Sequence, residues 1–335
     1  MTSPAASSLA LPILDAELEQ RLRARMEEVE RELEEAIQSE ADFVTQAARH
    51  LMQAGGKRFR PLLVLLAAET GDPFADGVVT SACVVELTHL ASLYHDDVMD
   101  EAVLRRGAES ANARWDNLVA ILTGDFLFSK SSELTARLGA DAVKIQAETF
   151  TRLVEGQILE TLGPGEGDDP LEHYLRVVAG KTGSLIATSA RYGARFAGAP
   201  LEVEEALTAY GEKIGSAFQL SDDILDIASE SEESGKTPGT DLREGIPTLP
   251  VLLARRSTDP ADARLLELLD ADLEDDALHT EALDLLRKHP AMEEARSYVL
   301  DRAHEARELL RVLPEDSPVR AALDAFAEVV ATRTA

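Results

Sequence analysis

The amino-acid sequence predicts an all-α protein, a large single-domain helical bundle around a central cavity. Only 4% of the 335 residues are aromatic, whereas Ala, Leu and Glu abound. These three residues favour helices, while strands prefer β-branched and aromatic residues. Apolar residues also recur at helical spacing along most of the chain, and Gly and Pro separate these stretches.

The predicted elements follow from these separators. Residues 1–14 are small and include Pro, so we expect a flexible tail, followed by a single domain over residues 15–335. A Leu/Glu/Arg pattern at helical spacing runs from Asp15 to Met52, and Pro61 suits the first turn of the next helix. Further helices are predicted at about 76–101, 112–138, 141–161, 171–197, 202–230 and 246–256. After Asp259, short acidic helices with Pro breaks should form an outer layer with little chemistry.

Composition restricts the classes of partner. A formal net charge of -29 argues against binding to nucleic acid, which needs clustered Lys and Arg. The single Cys83 cannot form an internal disulfide and sits in an apolar run, which fits a buried thiol in a cytoplasmic protein. No apolar stretch approaches the roughly 18 residues of a membrane span, and we see no signal peptide at the N-terminus.

One acidic motif occurs twice. Asp96, Asp97 and Asp100 share the spacing i, i+1, i+4 with a second triad, and both triads follow apolar helical segments; the second consists of Asp222, Asp223 and Asp226. On a helix this spacing stacks the first and third carboxylates one turn apart. Carboxylates in apolar surroundings are costly unless cations neutralise them or they open into water. Mg²⁺ prefers a few carboxylates together with water and phosphate, so two triads facing each other would clamp a diphosphate.

Cationic residues stand out against this acidic background. The segments Gly56-Lys57-Arg58-Phe59-Arg60-Pro61 and Arg105-Arg106-Gly107 lie at breaks between helices. Arg binds phosphate oxygens with paired hydrogen bonds and Lys adds a compact charge, so both segments suit a diphosphate held without metal. His89 lies about two helical turns before Asp96 and should face the same cavity, although a lone His on an apolar helix is often an ordinary core residue.

Taken together and in order, these segments resemble the trans-isoprenyl (polyprenyl) diphosphate synthase family. The family pattern is Gly-Lys-Arg-x-Arg-Pro, His before Asp-Asp-x-x-Asp, Arg-Arg-Gly, Lys-Thr, and Phe-Gln before a second Asp-Asp-x-x-Asp. All of these occur within about residues 55–250 of this chain. The resemblance implies the isoprenoid synthase fold, a homodimer, and a polyprenyl synthase catalytic domain over residues 15–335.

The resemblance also implies roles for individual residues. Both Asp triads would bind Mg²⁺, three ions in total, against an allylic diphosphate. The catalytic residues would be Asp96, Asp97, Asp100, Lys181, Asp222 and Asp223. The allylic diphosphate would be contacted by Arg105, Lys181, Thr182, Gln219 and Lys236. Isopentenyl diphosphate would be held by Lys57, Arg60, His89 and Arg106. Ile246 stands where many relatives carry Lys, which leaves one phosphate contact in doubt.

The expected reaction lengthens an allylic diphosphate with isopentenyl diphosphate. Ionisation, condensation and loss of a proton follow one another, and no side-chain nucleophile is needed. Ala91 and Ser92, one turn below Asp96, are small and should let the growing tail pass, as in long-chain relatives that supply quinone side chains. A residue deeper in the tunnel could stop the chain earlier, which leaves a short-chain synthase making geranylgeranyl or farnesyl diphosphate as the main alternative.

Two other classes fit less well. A terpene cyclase has no need of the second diphosphate site formed by Lys57, Arg60 and Arg106. A non-catalytic partner subunit of a two-component synthase would be expected to have lost its Asp triads. Contact with a membrane is expected to be peripheral at most, for release of the product.

Overall fold

The computed structural model describes residues 9, 11–229 and 238–333. The described residues form α-helices with one short hairpin, as the composition predicts. The helices are α1 (Ala16–Ala36), α2 (Asp42–Gln53), α3 (Phe59–Ala68), α4 (Val78–Met99), α5 (Ala111–Arg114), α6 (Asn117–Arg137), α7 (Ala140–Leu162), α8 (Pro170–Val178), α9 (Ser184–Phe196), α10 (Leu201–Ala228), α11 (Thr240–Arg243), α12 (Leu249–Ala254), α13 (Ala263–Leu269), α14 (Asp276–Lys288), α15 (Ala291–Leu309) and α16 (Pro318–Thr332). The hairpin pairs β1 (Leu104–Arg105) with β2 (Ala108–Glu109) in antiparallel register.

Two compact units contain these elements. Unit 1 comprises the described residues of Met1–Phe150, Leu185–Thr208 and Arg311–Leu323. Unit 2 comprises those of Thr151–Ser184, Ala209–Leu310 and Asp324–Ala335. The first Asp triad lies in unit 1 and the second in unit 2.

The core of unit 1 is built around α4, which packs against α6, α3 and α1. Every residue of α3 from Pro61 to Ala68 is buried, so this helix is apolar on all sides and lies inside the unit. Tyr94 on α4 donates its buried hydroxyl to the carbonyl oxygen of Ala47 on α2. A Cβ at Gly193 would lie 2.1 Å from the carbonyl oxygen of Val64, so glycine is required for α9 to approach α3 this closely.

The core of unit 2 includes the second half of α10. Tyr210, Ile214, Ala217, Leu220 and Ile224 are fully buried on one face of this helix. The last carbonyl oxygens of α10 are bonded by a side chain of α14. The guanidinium of Arg287 donates to the backbone oxygens of Ile227 and Ser229, both at 2.7 Å. The end of the helix that carries the second Asp triad is therefore held in place.

Most predicted helices are confirmed, but three continuous patterns are interrupted, the one at 171–197 by a π-helical turn, Ala179–Gly183, between α8 and α9. The pattern from Asp15 to Met52 forms two helices, because a side chain of the second helix bonds the backbone of the connecting segment. Thr45 Oγ1 accepts from the Ser39 amide at 2.9 Å, which stops α1 from continuing. The pattern at 112–138 is likewise broken before Asn117, where Asp116 accepts from the Val119 amide and caps α6.

Among the described helices, none combines the length and the apolar composition that a membrane span needs. The predicted tail, residues 1–14, falls largely outside the described residues. Of those that are described, Leu11 is buried.

Candidate active site

A stripe of partly exposed residues runs along α4 and ends at the first Asp triad. His89, Ser92, Leu93 and Asp96 retain accessible surface on a helix whose other residues between Val78 and Tyr94 are mostly buried. Their spacing of i, i+3, i+4 and i+7 places them on one face. The structure therefore puts His89 and Ser92 on the face that carries Asp96, as predicted from the helical spacing.

The members of this triad differ in their surroundings. Asp97 is fully buried and accepts from Arg105 Nε at 2.6 Å, whereas Asp100 is 55% exposed and lies 3.6 Å from Arg105 Nη2. Burial raises the pKa of Asp97, and the bond to Arg105 opposes that rise. The second oxygen of Asp97, Oδ2, is buried without a hydrogen-bond partner among the described residues. Asp96 and Asp100 are thus better placed than Asp97 to meet an incoming cation.

The hairpin after α4 places the Arg-Arg-Gly segment. Arg106 and Gly107 both adopt positive φ, 55° and 77°, as two-residue hairpin turns require. In this turn Arg106 donates to the carbonyl oxygens of Leu51 and Gly55. A Cβ at Gly56 would lie 2.8 Å from the Arg106 guanidinium, so Gly56 makes room for that side chain.

Two arginines and a histidine from three sequence segments form a cluster in unit 1. Burial, with Arg106 nearby, lowers the pKa of Arg60 to about 10, while the buried carboxylate of Glu86 opposes the fall. Burial and the charges of Arg60 and Arg106 hold the pKa of His89 well below its usual value, so its imidazole is neutral near pH 7. Arg60 Nε is buried without a hydrogen-bond partner in the described structure. This cluster of Arg60, His89 and Arg106 is the diphosphate-binding group predicted for isopentenyl diphosphate; Lys57, the remaining member, is exposed in the loop before α3.

Arg58 has a structural role in the same region. It adopts a left-handed backbone conformation at φ 46°, and its guanidinium bonds Glu30 at 2.6 Å and Glu86 at 3.1 Å. The buried Glu86 therefore offsets part of the positive charge around it. The sequence does not predict the pairing of Glu86 with Arg58, because a carboxylate inside an apolar helix carries no local sign of its partners.

The second triad, on α10, is held by neighbours within unit 2. Asp223 is nearly buried; it accepts from the Tyr174 hydroxyl and from Gln219 Nε2 at 3.1 Å. Burial raises the pKa of Asp223 well above its usual value, and the nearby Asp226 adds to the rise. Asp226 accepts from the amides of Thr240 and Asp241 at the start of α11.

Asp222 is the most exposed member of this triad whose surroundings are described, at 47% of its side chain. Its Oδ1 lies 2.9 Å from Nη1 of Arg333, the residue that follows α16. Tyr174 and Arg333 were both missed by sequence analysis. Each is distant in sequence from the triad and belongs to no motif, so only the fold reveals the contact.

Lys181 and Thr182 lie in a π-helical turn, Ala179–Gly183, between α8 and α9. Single π-helical turns are rare and often occur at functional sites. Lys181 forms an ion pair with Glu160, and Thr182 Oγ1 lies 3.3 Å from Gln219 Oε1. A Cβ at Gly156 on α7 would lie 2.6 Å from the Lys181 amide nitrogen, so a glycine allows α7 to reach the turn. The predicted contacts Lys181, Thr182 and Gln219 thus share one neighbourhood with Asp223.

The other predicted residues are placed as follows. Ala91 is fully buried, while Ser92 is partly exposed and donates its hydroxyl to the His89 carbonyl oxygen at 2.8 Å. Of these two small residues, Ser92 is therefore the one that retains surface on the stripe. Ile246 is 41% exposed. Lys236 lies outside the described residues.

The donor set fits a hard divalent cation. Carboxylates are the ligands that Mg²⁺ prefers; in unit 1 Asp96 is partly exposed and Asp100 exposed, and Asp97 adds a buried oxygen without a hydrogen-bond partner among the described residues, while in unit 2 Asp222 is exposed. No group of three or more His, Cys, Asp or Glu residues in the described structure forms a ready metal cage. Mg²⁺ is commonly bound by one or two carboxylates together with substrate phosphates, so the exposed carboxylates of each unit suit a cation that arrives with a diphosphate.

Comparison with known proteins defines the class. The family model described as polyprenyl synthetase matches residues 41–286. The chain is 48% identical to a nonaprenyl diphosphate synthase of Mycobacterium tuberculosis over 334 residues, covering 99% of each chain. An all-α fold with two Asp-rich helices and a cationic cluster is therefore that of a prenyltransferase, an enzyme that transfers prenyl groups. The chain belongs to the polyprenyl synthetase family.

Solved structures agree with this assignment. A geranylgeranyl pyrophosphate synthase from Corynebacterium glutamicum, complexed with calcium and isoprenyl diphosphate, matches with a TM-score of 0.88 and 46% identity, covering 97% of this chain and 99% of that chain. A decaprenyl diphosphate synthase from Rhodobacter capsulatus matches with a TM-score of 0.87 and 35% identity, covering 95% and 99%. The predicted all-α fold and family are thereby confirmed.

Proposed function

We propose that this prenyltransferase adds isopentenyl diphosphate head-to-tail to an allylic diphosphate and makes a long-chain all-trans polyprenyl diphosphate. The observation that carries the proposal is the pairing, within unit 1, of an Asp triad with a separate cationic cluster. Asp96 and Asp100 suit a metal-bound diphosphate, whereas Arg60, His89 and Arg106 suit a diphosphate held directly. Two kinds of diphosphate site are what a reaction between two diphosphates requires.

Mg²⁺ bound with the allylic diphosphate would neutralise the leaving group as its C–O bond breaks. We assign metal binding to Asp96 and Asp100 in unit 1 and to Asp222 in unit 2, and Asp97 and Asp223 are fixed by neighbours that orient them. Lys181 and Thr182 would contact the allylic diphosphate from the π-helical turn. The number of ions, three, is carried over from the family resemblance.

The cationic cluster would hold isopentenyl diphosphate while its double bond attacks the allylic carbon. Arg60 and Arg106 supply positive charge, and the neutral His89 can donate one hydrogen bond without adding charge. A new C–C bond forms as the C–O bond breaks, and a proton then leaves the condensed product to restore a double bond. The released diphosphate is the base we assign to that proton, because no described side chain of the cluster combines basicity with an available lone pair.

Product length rests on Ser92 and on the relatives. A small side chain one turn below Asp96 leaves room for the tail, and the nonaprenyl diphosphate synthase relative supports a long product. The geranylgeranyl pyrophosphate synthase of similar identity favours the short-chain alternative, so length needs its own test.

The test is incubation of purified protein with Mg²⁺, labelled isopentenyl diphosphate and farnesyl diphosphate, followed by chromatographic sizing of the dephosphorylated alcohols. We expect products of about six isoprene units or more, given the open face one turn below Asp96. Asp96→Ala should abolish elongation, while Asp301→Ala removes an exposed carboxylate on α15 and should leave it unchanged. Absence of elongation with any allylic primer would refute the proposed reaction.

Ser92→Phe tests the length argument separately. A phenyl ring at this position should shorten the product, and Ser92→Ala, which keeps the side chain small, should not. Wild-type products that stop at four units would leave the reaction intact and contradict the long-chain assignment.

A homodimer and a cytoplasmic location complete the proposal. Leu118, Ile121 and Leu122 on α6 are 64%, 41% and 57% exposed, and an apolar row of this kind is typical of a surface covered by another chain. We assign a second copy of this chain as the partner that packs against this row on α6. Light scattering of the purified protein should give a dimer, and Leu122→Glu should shift it toward monomer.

A further inference from the structure

Arg333, the residue immediately after α16, contacts α10 at three points, one on the second Asp triad and two on residues just before it. Its Nη1 lies 2.9 Å from Asp222 Oδ1, its Nε donates to Ser221 Oγ at 2.6 Å, and its Nη2 donates to the carbonyl oxygen of Phe218. The guanidinium also lies over the Phe218 ring, 4.1 Å from the ring centroid. Four contacts to one short stretch of α10 fix this side chain more firmly than a single surface ion pair would.

Most of these contacts do not involve the carboxylate. Ser221 and Phe218 hold the guanidinium through its other two nitrogens, so Arg333 can stay in place when Asp222 accepts another cation. A carboxylate offers two oxygens with about four lone-pair positions, and Arg333 engages Oδ1. A carboxylate can thus accept several partners at once, so the contact with Arg333 is compatible with metal binding by Asp222.

We propose that Arg333 is a positioning residue for Asp222, and that the C-terminal segment of the chain is thereby part of the metal site. The inference rests on the proposed function, in which Asp222 is a metal ligand. Hydrogen-bond partners of ligating carboxylates fix their orientation, and losing such a partner commonly costs about 10- to 100-fold in metal affinity.

An opposing effect must be weighed. The positive charge of Arg333 repels Mg²⁺, so its removal would strengthen metal binding if charge dominated. That repulsion is reduced because the guanidinium is already paired with Asp222 and lies over the electron-rich face of Phe218. Loss of orientation is therefore expected to outweigh loss of repulsion.

The experiment compares three arginine variants of the full chain. Arg333→Met keeps the apolar stem but cannot donate hydrogen bonds, and Arg333→Lys keeps the charge with one point of contact. The matched control is Arg307→Gln, which removes ion pairs from α15 to Asp324 and Glu328 on α16 without touching α10. This control loosens the same helix but leaves Asp222 with its partner.

Two measurements are made on each variant. The first is the melting temperature across a Mg²⁺ titration with inorganic diphosphate, which involves no turnover; the second is the Mg²⁺ concentration for half-maximal elongation. We expect Arg333→Met to raise the half-saturating Mg²⁺ concentration about 10-fold or more in both measurements. The value for Arg333→Lys should lie between those of Arg333→Met and the wild type, and the value for Arg307→Gln should equal that of the wild type.

The outcomes separate the hypotheses. Unchanged or tighter Mg²⁺ binding in Arg333→Met would overturn the inference, and so would an equal shift in Arg307→Gln, which would indicate a purely structural anchor. Asp222→Ala serves as the reference for the proposed function. If Asp222→Ala leaves the Mg²⁺ titration unchanged, the assignment of Asp222 as a ligand fails, whatever Arg333 does.

Discussion

Arg105→Met is expected to act mainly by lowering the free energy of unfolding, and less by weakening the binding of a substrate. The family resemblance assigns Arg105 to the allylic diphosphate, yet in the structure its Nε donates to the fully buried Asp97 at 2.6 Å. Asp97 Oδ2 has no hydrogen-bond partner among the described residues, so removing Arg105 leaves a buried carboxylate poorly compensated. Asp97 would respond by taking up a proton, because burial already raises its pKa.

The magnitude follows from burial. Breaking a buried ion pair by removing one partner commonly costs about 3–5 kcal/mol. The Arg105 side chain is 28% exposed, and water screens part of the pair, so we expect the free energy of unfolding to fall by about 2–4 kcal/mol.

Urea unfolding followed by circular dichroism at pH 7 measures this change. Asp97→Asn in combination with Arg105→Met removes both charges and should recover much of the loss, which a double-mutant cycle would report as coupling. Arg114→Met, on the neighbouring α5, removes an arginine that contacts Trp115 at the surface and should change stability little. If Arg105→Met unfolds like the wild type and only raises the KM for the allylic substrate, the argument from Asp97 is wrong.

Three further outcomes are expected. Gly156→Ala should lower the free energy of unfolding by about 1–3 kcal/mol and should also lower elongation activity, because its Cβ would lie 2.6 Å from the Lys181 amide nitrogen. Gly165→Ala, whose Cβ would meet only a flexible side chain, should change both quantities little in the same unfolding and elongation assays. The pKa of His89 is lowered in the folded state, so the unfolded chain binds the proton first as pH falls. Stability should therefore decrease below about pH 6.5, by at most about 1.4 kcal/mol per pH unit, and His89→Asn should lose that slope in urea titrations at pH 5.5 and 7.5. Cys83 is fully buried and its pKa is raised, so the native protein should resist iodoacetamide and react only when urea unfolds it.

The sequence by itself determined the fold class and the family, and it predicts where along the chain the chemistry lies. Helical periodicity is a local property, so the spacing of His89, Ser92 and Asp96 correctly placed all three on one face of α4. The repeated Asp motif and the order of the cationic segments identified the family. Each of these motifs is a run of a few adjacent residues, so it can be read without knowledge of the fold.

Helix boundaries and local backbone conformation depend on contacts that the residue pattern does not show. The helix predicted through Asp15–Met52 is interrupted because Thr45 bonds the Ser39 amide, an interaction that periodicity does not report. In the same way, the positive φ of Arg106 and the π-helical turn at Lys181 depend on backbone geometry and close glycine contacts rather than on residue pattern.

Only the tertiary structure decided how the members of each triad differ. Asp97 is buried against Arg105 and Asp223 against Tyr174, whereas Asp222 is half-exposed beside Arg333. Identical motifs thus acquire different surroundings, because burial and ion pairing depend on residues brought from elsewhere in the chain. Arg333 is 112 residues from Ser221 in sequence and lies in the segment predicted to have little chemistry, and folding of the chain brings it onto α10.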